Sequence, residues 1–158
     1  MPLVLCRVDD RLVHGQVVLG WGRPLRAERI VLVDDLVAAS PWEADLYRLA
    51  TPPSIALEVL AVADAASDIG AIAADPRRTL LVTGDLAAMR ALHAADAAAV
   101  HEINLGGIHH APGRRERLPY LFLTDAELAE VHALAAAGAT VQAQDVPTAA
   151  PVPLGAIH

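Results

Sequence analysis

The sequence predicts a single α/β domain built on a mostly parallel, doubly wound sheet of about seven strands with helices on both faces. Short apolar segments rich in β-branched residues alternate with helical segments along the chain of 158 residues, which is the pattern of an α/β domain. Some strand segments, such as residues 79–82, are almost continuously apolar, as parallel strands covered on both faces are. The length suits one core, and no linker or internal repeat interrupts the alternation.

Seven segments are predicted to form strands. Residues 3–8 are a short apolar run bounded by charge, and residues 29–33 have a high β-branched content and end at Asp34 and Asp35. Residues 112–117, which are polar and basic, are predicted to be a loop. The remaining strands are predicted at residues 55–61, 79–82, 100–105, 120–123 and 140–144.

Helices are predicted between these strands, and three of them begin after a side chain that suits an N-cap. These caps are Ser40, Asp85 and Thr124, and Thr124 forms a capping box with Glu127. The predicted helices cover residues 16–22, 41–50, 64–74, 86–92 and 125–137.

Composition restricts the possible functions. Hydrophobic residues make up 54% and aromatic residues 3% of the chain, so the core is expected to consist of Leu, Val, Ile and Ala. The formal net charge of −7 argues against nonspecific binding to nucleic acid. The single cysteine, Cys6, excludes an internal disulfide and is expected to be a small core residue in a reducing compartment.

The beginning of the chain shows neither a signal peptide nor a membrane helix. Charged residues follow Met1 closely, and no apolar run approaches the ~18 residues of a membrane span. We therefore expect a soluble, cytoplasmic protein, whose association with a membrane would be peripheral and made through partners. The domain is expected to cover residues 1–147, with a loose C-terminal tail at residues 148–158.

The most informative segment joins the first predicted strand to the first predicted helix. His14 and Gly15 lie at this turn, which is the carboxyl end of the strand, where open α/β sheets bind ligands. The start of the next helix suits an anion, Arg11 offers a planar guanidinium, and His14 offers a nitrogen nucleophile. These residues predict a phosphoryl or other anion site.

A structural interpretation of the same residues stays open at this point. Asp9 and Asp10 could cap the turn, and Arg11 could be their surface ion-pair partner. His14 could be a solvated loop residue.

Residues 7–22 read RVDDRLVHGQVVLGWG. This segment closely resembles the N-terminal signature of the enzyme IIB subunits of the mannose/fructose/sorbose family of the bacterial phosphotransferase system. In that family the histidine before Gly-Gln carries the phosphoryl group, and the matching residue here is His14. The resemblance extends to later landmarks at residues 50–53, 104–107 and 125–147, and it implies a sheet of seven strands, one of them antiparallel.

The resemblance also implies an activity and a set of partners. The expected protein is a protein-N(π)-phosphohistidine–sugar phosphotransferase, with His14, Arg11 and Asp10 as catalytic residues and Asp10 holding Arg11 or orienting the imidazole. An enzyme IIA is the expected donor, and the membrane subunits IIC and IID present the sugar. Neither a metal nor another cofactor is expected, and a homo-oligomer remains open.

Other loops are expected at the same sheet edge as His14. Because parallel strands end on one edge, the loops after the fourth and fifth strands can share a phosphate cradle with the His14 turn. Glycines there allow the backbone to approach a ligand closely. The predicted phosphate-binding residues are Gly15, Gln16, Thr83, Gly84, Gly106 and Gly107.

Several residues have two interpretations. Trp21 is a core anchor or, as its position at a helix end near His14 favours, a partner contact. The arginines of residues 114–117 are a solvated loop or a docking surface for an acidic partner. A regulatory module phosphorylated on His14 without a sugar acceptor is the second functional hypothesis. A third is a small-molecule or metal site at His14, His109 and His110.

Overall fold

The computed structural model describes residues 3–15 and 20–158, and within them strands and helices alternate. The strands are β1 (Leu3–Val8), β2 (Arg29–Val33), β3 (Ala56–Leu60), β4 (Thr79–Thr83), β5 (Glu102–Leu105), β6 (Arg115–Leu118), β7 (Leu121–Leu123), β8 (Thr140–Ala143) and β9 (Val152–Pro153). The helices are α1 (Asp35–Ala38), α2 (Pro41–Ala50), α3 (Val62–Ala74), α4 (Leu86–Ala95) and α5 (Asp125–Ala136). The predicted helix at residues 16–22 lies largely outside the described residues.

One seven-stranded sheet has the order β3-β2-β4-β1-β5-β8-β9. Neighbouring strands are parallel except for β8 and β9, which are antiparallel. This confirms the predicted α/β class with a mostly parallel sheet. Strands β6 and β7 form a separate antiparallel hairpin.

The membership of the sheet differs from the prediction at one strand. The segment at residues 120–123 contains a strand, β7, but β7 pairs with β6 rather than joining the main sheet. The predicted basic loop at residues 112–117 overlaps β6, whose polar side chains conceal a strand from an apolar pattern. Leu121 and Leu123 of β7 are nevertheless buried in the core, so the hairpin closes one side of it.

The seventh position in the sheet is taken by β9, which lies in the segment that was expected to be loose. Ala143 pairs with Val152 and Gln142 with Pro153, and proline is tolerated there because β9 is an edge strand. Ile157 is buried in the core. The expectation of a loose tail is therefore wrong for this part of it.

Two hydrophobic layers cover the two faces of the sheet. Along β2, Val31 and Val33 pack into the layer that contains α3, α4 and α5, whereas Ile30 and Leu32 pack into the layer that contains α2. Burial on both faces explains why β2 and β4 are apolar at nearly every position. Cys6 is a core residue, as predicted, and burial raises the pKa of its thiol to about 12.

The predicted helix caps are confirmed. Ser40 Oγ accepts from Glu43 N, Asp85 Oδ1 accepts from Ala88 N, and Thr124 forms its capping box with Glu127. No described helix combines the length and apolarity that crossing a membrane requires.

The order of the strands creates a crevice beside β1. The chain leaving β1 runs to β2, on one side of β1 in the strand order, whereas the chain leaving the adjacent β5 runs to β8, on the other side. The connections therefore diverge between β1 and β5, and the carboxyl ends of strands at such a switch point are where open α/β sheets bind ligands.

Candidate functional site

The buried carboxylate of Asp9 binds both arginines of the crevice. It follows β1 directly, and its side chain is fully buried. Its Oδ1 accepts from Arg11 N at 3.1 Å and Arg11 Nε at 3.0 Å, and its Oδ2 accepts from Arg11 Nη2 at 3.0 Å and Arg7 Nη2 at 3.2 Å. Burial alone would raise the pKa of Asp9, but the hydrogen bonds from Arg11 and the charge of Arg7 outweigh it and hold this pKa below its ordinary value. Asp9 is therefore ionised at neutral pH.

Arg7 is a buried guanidinium inside a strand. Burying a charge is costly unless it is paired and hydrogen-bonded, and here Arg7 donates to Asp9, to Asn104 Oδ1, to Gln144 O at 2.8 Å and to Asp145 O at 2.9 Å. The ring of Trp21 lies 4.8 Å from its guanidinium carbon. Arg7 thus joins β1 to the carboxyl ends of β5 and β8 and holds Asp9 in place.

His14 lies beside the same carboxylate. Its Nε2 is shielded from solvent and lies 3.8 Å from Asp9 Oδ2, while 24% of the side chain is exposed. Burial lowers the pKa of His14, and the charges of Arg11 and Arg7 lower it further, against the raising effect of Asp9. A neutral, partly accessible imidazole next to an ionised carboxylate is the arrangement of a nitrogen nucleophile.

A tight turn brings His14 back towards Asp9. Leu12 N donates to Asp9 O at 3.0 Å, and Leu12 adopts a φ of 57°, a left-handed conformation that is unfavourable for a branched side chain. The Leu12 side chain is buried in the layer beneath the turn, and this packing offsets the backbone cost.

Arg11 lies at the mouth of the crevice. Its side chain is 30% exposed, and Asp9 holds it through two of its nitrogens. Gly107 lies against it, because a Cβ at that position would be 3.1 Å from Arg11 Nε and Nη2. Arg11 therefore combines a fixed position with access to an anion.

Asp10 was expected to hold Arg11 or to orient the imidazole of His14, but its described side-chain hydrogen bonds go to His109. Its Oδ1 lies 2.6 Å from His109 Nδ1, and its Oδ2 accepts from His109 N at 2.7 Å. Asp10 N also donates to Gly107 O at 2.8 Å. Asp10 thus ties the His14 turn to the loop after β5, and the residue that holds Arg11 and lies beside the imidazole is Asp9.

The loops after β4 and β5 meet the His14 turn at one sheet edge, as predicted. Asp9 N donates to Thr83 O at 2.9 Å, and Gly106 N donates to Val8 O at 2.7 Å. A Cβ on Gly106 would overlap the Arg7 guanidinium, and one on Gly84 would lie 3.0 Å from a methyl group of Leu12. These glycines leave room for the groups that build the site.

All but one of the predicted site residues lie at the sheet edge that carries His14. His14, Arg11, Asp10, Gly15, Thr83, Gly84, Gly106 and Gly107 lie at this edge, and Gln16 lies outside the described residues. Sequence reasoning missed Arg7, Asn104 and the backbone carbonyl groups after β8. A charge inside an apolar strand, Arg7, followed by Asp9 directly after the strand, is a signal that could have found Arg7, whereas no local signal points to its distant partners.

Two expected docking features have partners within the chain. Trp21 is buried against Arg7, so the interpretation of Trp21 as a partner contact is wrong and the core interpretation holds. Arg114 forms a bidentate pair with Glu127, and Arg115 and Arg117 both donate to Asp125. The basic patch is therefore balanced by acidic residues of α5.

The metal hypothesis finds no geometric support in the part of the chain that the structure describes. His109 is paired with Asp10, and His110 packs edge-to-face on Phe122 with ring centroids 5.8 Å apart. Among the described residues, no group of three His, Cys, Asp or Glu side chains could hold a metal ion.

Comparison with known proteins yields matches along nearly the whole chain. The model of a family described as the PTS system sorbose subfamily IIB component matches residues 3–157. The N-acetylgalactosamine-specific phosphotransferase enzyme IIB component 2 of Escherichia coli (strain K12) is 30% identical over 149 residues, which are 94% of this chain and 94% of that protein. The PTS system sorbose-specific EIIB component of Klebsiella pneumoniae is 37% identical over 62 residues, covering 39% of this chain and 38% of that protein.

A solved structure agrees with the fold. The crystal structure of the PTS system N-acetylgalactosamine-specific IIB component 1 from Escherichia coli superposes with a TM-score of 0.87 at 25% identity, and the match covers 95% of this chain and 97% of that one.

Proposed function

Because this chain belongs to the sorbose subfamily of PTS system IIB components, a family of sugar phosphotransferase proteins, we propose that His14 is its phosphoryl carrier. In this proposal an enzyme IIA donates the phosphoryl group, and the membrane subunits IIC and IID present the sugar that receives it. The observation that carries the proposal is the neutral imidazole of His14 beside the ionised Asp9, with Arg11 bound to the same carboxylate.

The geometry favours Nδ1 of His14 as the reacting nitrogen. Nε2 is shielded and faces Asp9 Oδ2, so the carboxylate favours the tautomer that carries its proton on Nε2. The lone pair of Nδ1 is then the nucleophile that attacks the phosphorus, while the bond from phosphorus to the histidine of enzyme IIA breaks.

Asp9 also favours the second transfer. A phosphorylated imidazole is a better phosphoryl donor when its ring carries a positive charge, because the leaving group is then neutral. The carboxylate of Asp9 stabilises that charge on Nε2, much as the aspartate of a catalytic triad stabilises an imidazolium. The phosphorus then forms a bond to a sugar hydroxyl oxygen, whose proton passes to solvent, and the electrons of the broken P–N bond return to Nδ1.

Arg11 is proposed to stabilise the negative charge of the transferring phosphoryl group. Phosphoryl transfer depends mainly on positioning and on electrostatic stabilisation of the equatorial oxygens. Arg11 is held at the mouth of the crevice by Asp9, and backbone N–H groups of Gly15 and Gln16 are proposed to add to it. Gly106 and Gly107 contribute indirectly, since they leave room for Arg7 and Arg11.

The test is phosphorylation from phosphoenolpyruvate through the general phosphotransferase proteins and enzyme IIA. The wild-type protein is expected to gain one phosphate that is stable in base and lost in acid, as a phosphoramidate is. His14→Ala is expected to fold and gain none, and His109→Ala, which changes the histidine bound to Asp10, is expected to label. Nitrogen-15 spectra of the labelled protein are expected to place the phosphate on Nδ1. Undiminished labelling of His14→Ala would refute the proposal.

A further inference from the structure

Helices α1 and α2 carry an exposed apolar surface that the phosphoryl site does not explain. Leu36, Trp42, Leu46 and Leu49 are 80%, 71%, 47% and 84% exposed. They are the large hydrophobic side chains that stand exposed in the described part of the chain, and all four lie within α1 and α2. Three of them, Trp42, Leu46 and Leu49, recur at the i, i+4 and i+7 positions of α2 and so share one face of that helix. We call these three residues the α2 apolar face. Exposed apolar residues grouped in this way mark interaction sites.

The α2 apolar face continues into the turn that carries His14. A crevice of about 320 Å³ separates α2 from this turn, and its walls include Trp42 and Leu46 on one side and Val13 on the other. Val13 immediately precedes His14. A protein that covers the α2 apolar face therefore also borders the reactive histidine.

The border of the α2 apolar face is acidic. Residues 34–49 contain four carboxylates, Asp34, Asp35, Glu43 and Asp45, against one basic residue, Arg48. Arg48 is itself paired with Asp45 at 3.0 Å. A complementary surface is therefore an apolar groove with a basic border.

We propose that the α2 apolar face docks onto the cytoplasmic loops of the membrane subunits that receive the phosphoryl group, an inference that rests on the proposed function. Cytoplasmic loops of membrane proteins carry an excess of Lys and Arg, which matches the acidic border. The same border opposes a second copy of the chain, because two acidic borders would meet. It also opposes direct adsorption on a bilayer, whose cytoplasmic leaflet is negatively charged.

The test measures binding of the full chain to inside-out vesicles that contain the IIC and IID subunits of its own system, and to matched vesicles without them. The wild type is expected to bind only the first kind, and more weakly as salt increases. The double variant Trp42→Ala/Leu49→Ala is expected to bind at least about tenfold more weakly, as loss of a tryptophan anchor implies. Both side chains are exposed, so the fold is expected to persist, and thermal unfolding checks this.

A pair of charge reversals provides the matched control. Asp45→Lys lies on the border of the α2 apolar face and is expected to weaken vesicle binding. Asp68→Lys reverses an exposed aspartate of α3, which packs on the opposite face of the sheet, and is expected to bind like the wild type.

Four results would overturn the proposal. The first is that the double variant binds the vesicles as the wild type does, and the second is that the wild type binds equally well to vesicles without the subunits. The third is that the wild type forms a dimer that the double variant does not form. The fourth is that the double variant is no longer labelled by enzyme IIA although it still binds the vesicles. The last would assign the face to the donor. Failure of His14 to label would refute the proposed function instead, and vesicle binding by His14→Ala separates the two.

Discussion

At the scale of single residues, the site depends on how one carboxylate is shared. Asp9 binds Arg7 and Arg11 and lies beside His14, so it connects the buried part of the site to its solvent-accessible part. Asp10, its neighbour, is bound to His109 instead. Two adjacent aspartates thus have separate partners, because consecutive residues after a strand point in different directions.

Replacing Arg11 by lysine is expected to slow phosphoryl transfer about ten- to a hundredfold while the protein still folds. Lysine keeps the charge but loses the planar fork that Asp9 orients, and the loss of one charge-assisted contact is worth about 1.5–3 kcal/mol in the barrier. The measurement is the rate of labelling by enzyme IIA in a rapid-quench experiment.

Arg77 offers a close control for that change. Its backbone N, Nε and Nη2 all donate to Asp75, two residues earlier, as those of Arg11 do to Asp9. Arg77→Lys is therefore expected to label at the wild-type rate, and equal slowing of the two variants would show that Arg11 has only a structural role.

The pH dependence of phosphoryl acceptance is expected to report the lowered pKa of His14. Burial, with the charges of Arg11 and Arg7, places this pKa below the usual 6.5, so the reactive neutral form persists on acidification. The labelling rate constant is expected to stay level from a pH of about 8 to about 6.5 and to decline below that range. An inflection above 6.5 in a pH–rate profile would contradict it.

The same pKa shift predicts the sign of a stability change. Because the folded state favours neutral His14, the unfolded state binds more protons as pH falls below 6.5. The free energy of unfolding of the wild type is therefore expected to fall relative to that of His14→Gln in this window. Urea unfolding of both proteins at several pH values measures the difference.

At the scale of elements, Arg7 of β1 restricts which residue can follow the adjacent strand β5. Gly106 follows β5, and the Arg7 guanidinium from β1 occupies the space where a side chain would lie. Arg7 cannot move aside easily, because Asp9, Asn104 and the carbonyl groups after β8 hold it. The absence of a side chain at residue 106 is therefore part of the packing of the sheet.

Gly106→Ala is accordingly expected to lower the free energy of unfolding by about 1–3 kcal/mol, the usual cost of overpacking. Gly70→Ala gives the opposite expectation, since Gly70 lies within α3 and a Cβ there meets nothing within 4 Å. Alanine at that position is expected to stabilise the helix by about 0.5–1 kcal/mol. The urea concentration at the unfolding midpoint is expected to be lower than that of the wild type for Gly106→Ala and higher for Gly70→Ala. A shift of both midpoints in the same direction would contradict this account.

At the scale of the whole molecule, the sequence predicted what local patterns encode. Continuously apolar segments predicted β2 and β4, and short polar side chains predicted the caps of α2, α4 and α5, since both depend on residues within a few positions of each other. β6 and β9 were not recognised as strands, because one is polar and the other contains proline, and each is defined by its pairing partner.

The same distinction applies to the site. The turn that carries His14 and Arg11 could be identified because its residues are consecutive. The bonds of Arg7 to Asn104 and to the carbonyl of Gln144 join residues far apart in the chain, so no local pattern announces them. The assignment of Asp9 rather than Asp10 to Arg11 likewise depends on which way each side chain leaves the strand.

The bond between Arg7 and the carbonyl of Gln144 spans 137 positions of the chain, and this has a consequence for biosynthesis. Contacts so distant in sequence form late in folding, and a growing polypeptide emerges from the ribosome with its N-terminal part first. The residues of the turn that bears His14 are therefore synthesised early. The hydrogen bonds of Arg7, which hold Asp9 beside that turn, are completed only when almost the whole chain has been translated. A truncated translation product would consequently display His14 without the environment that keeps it neutral and oriented, and under the proposed function incomplete chains are expected to compete poorly for phosphoryl groups.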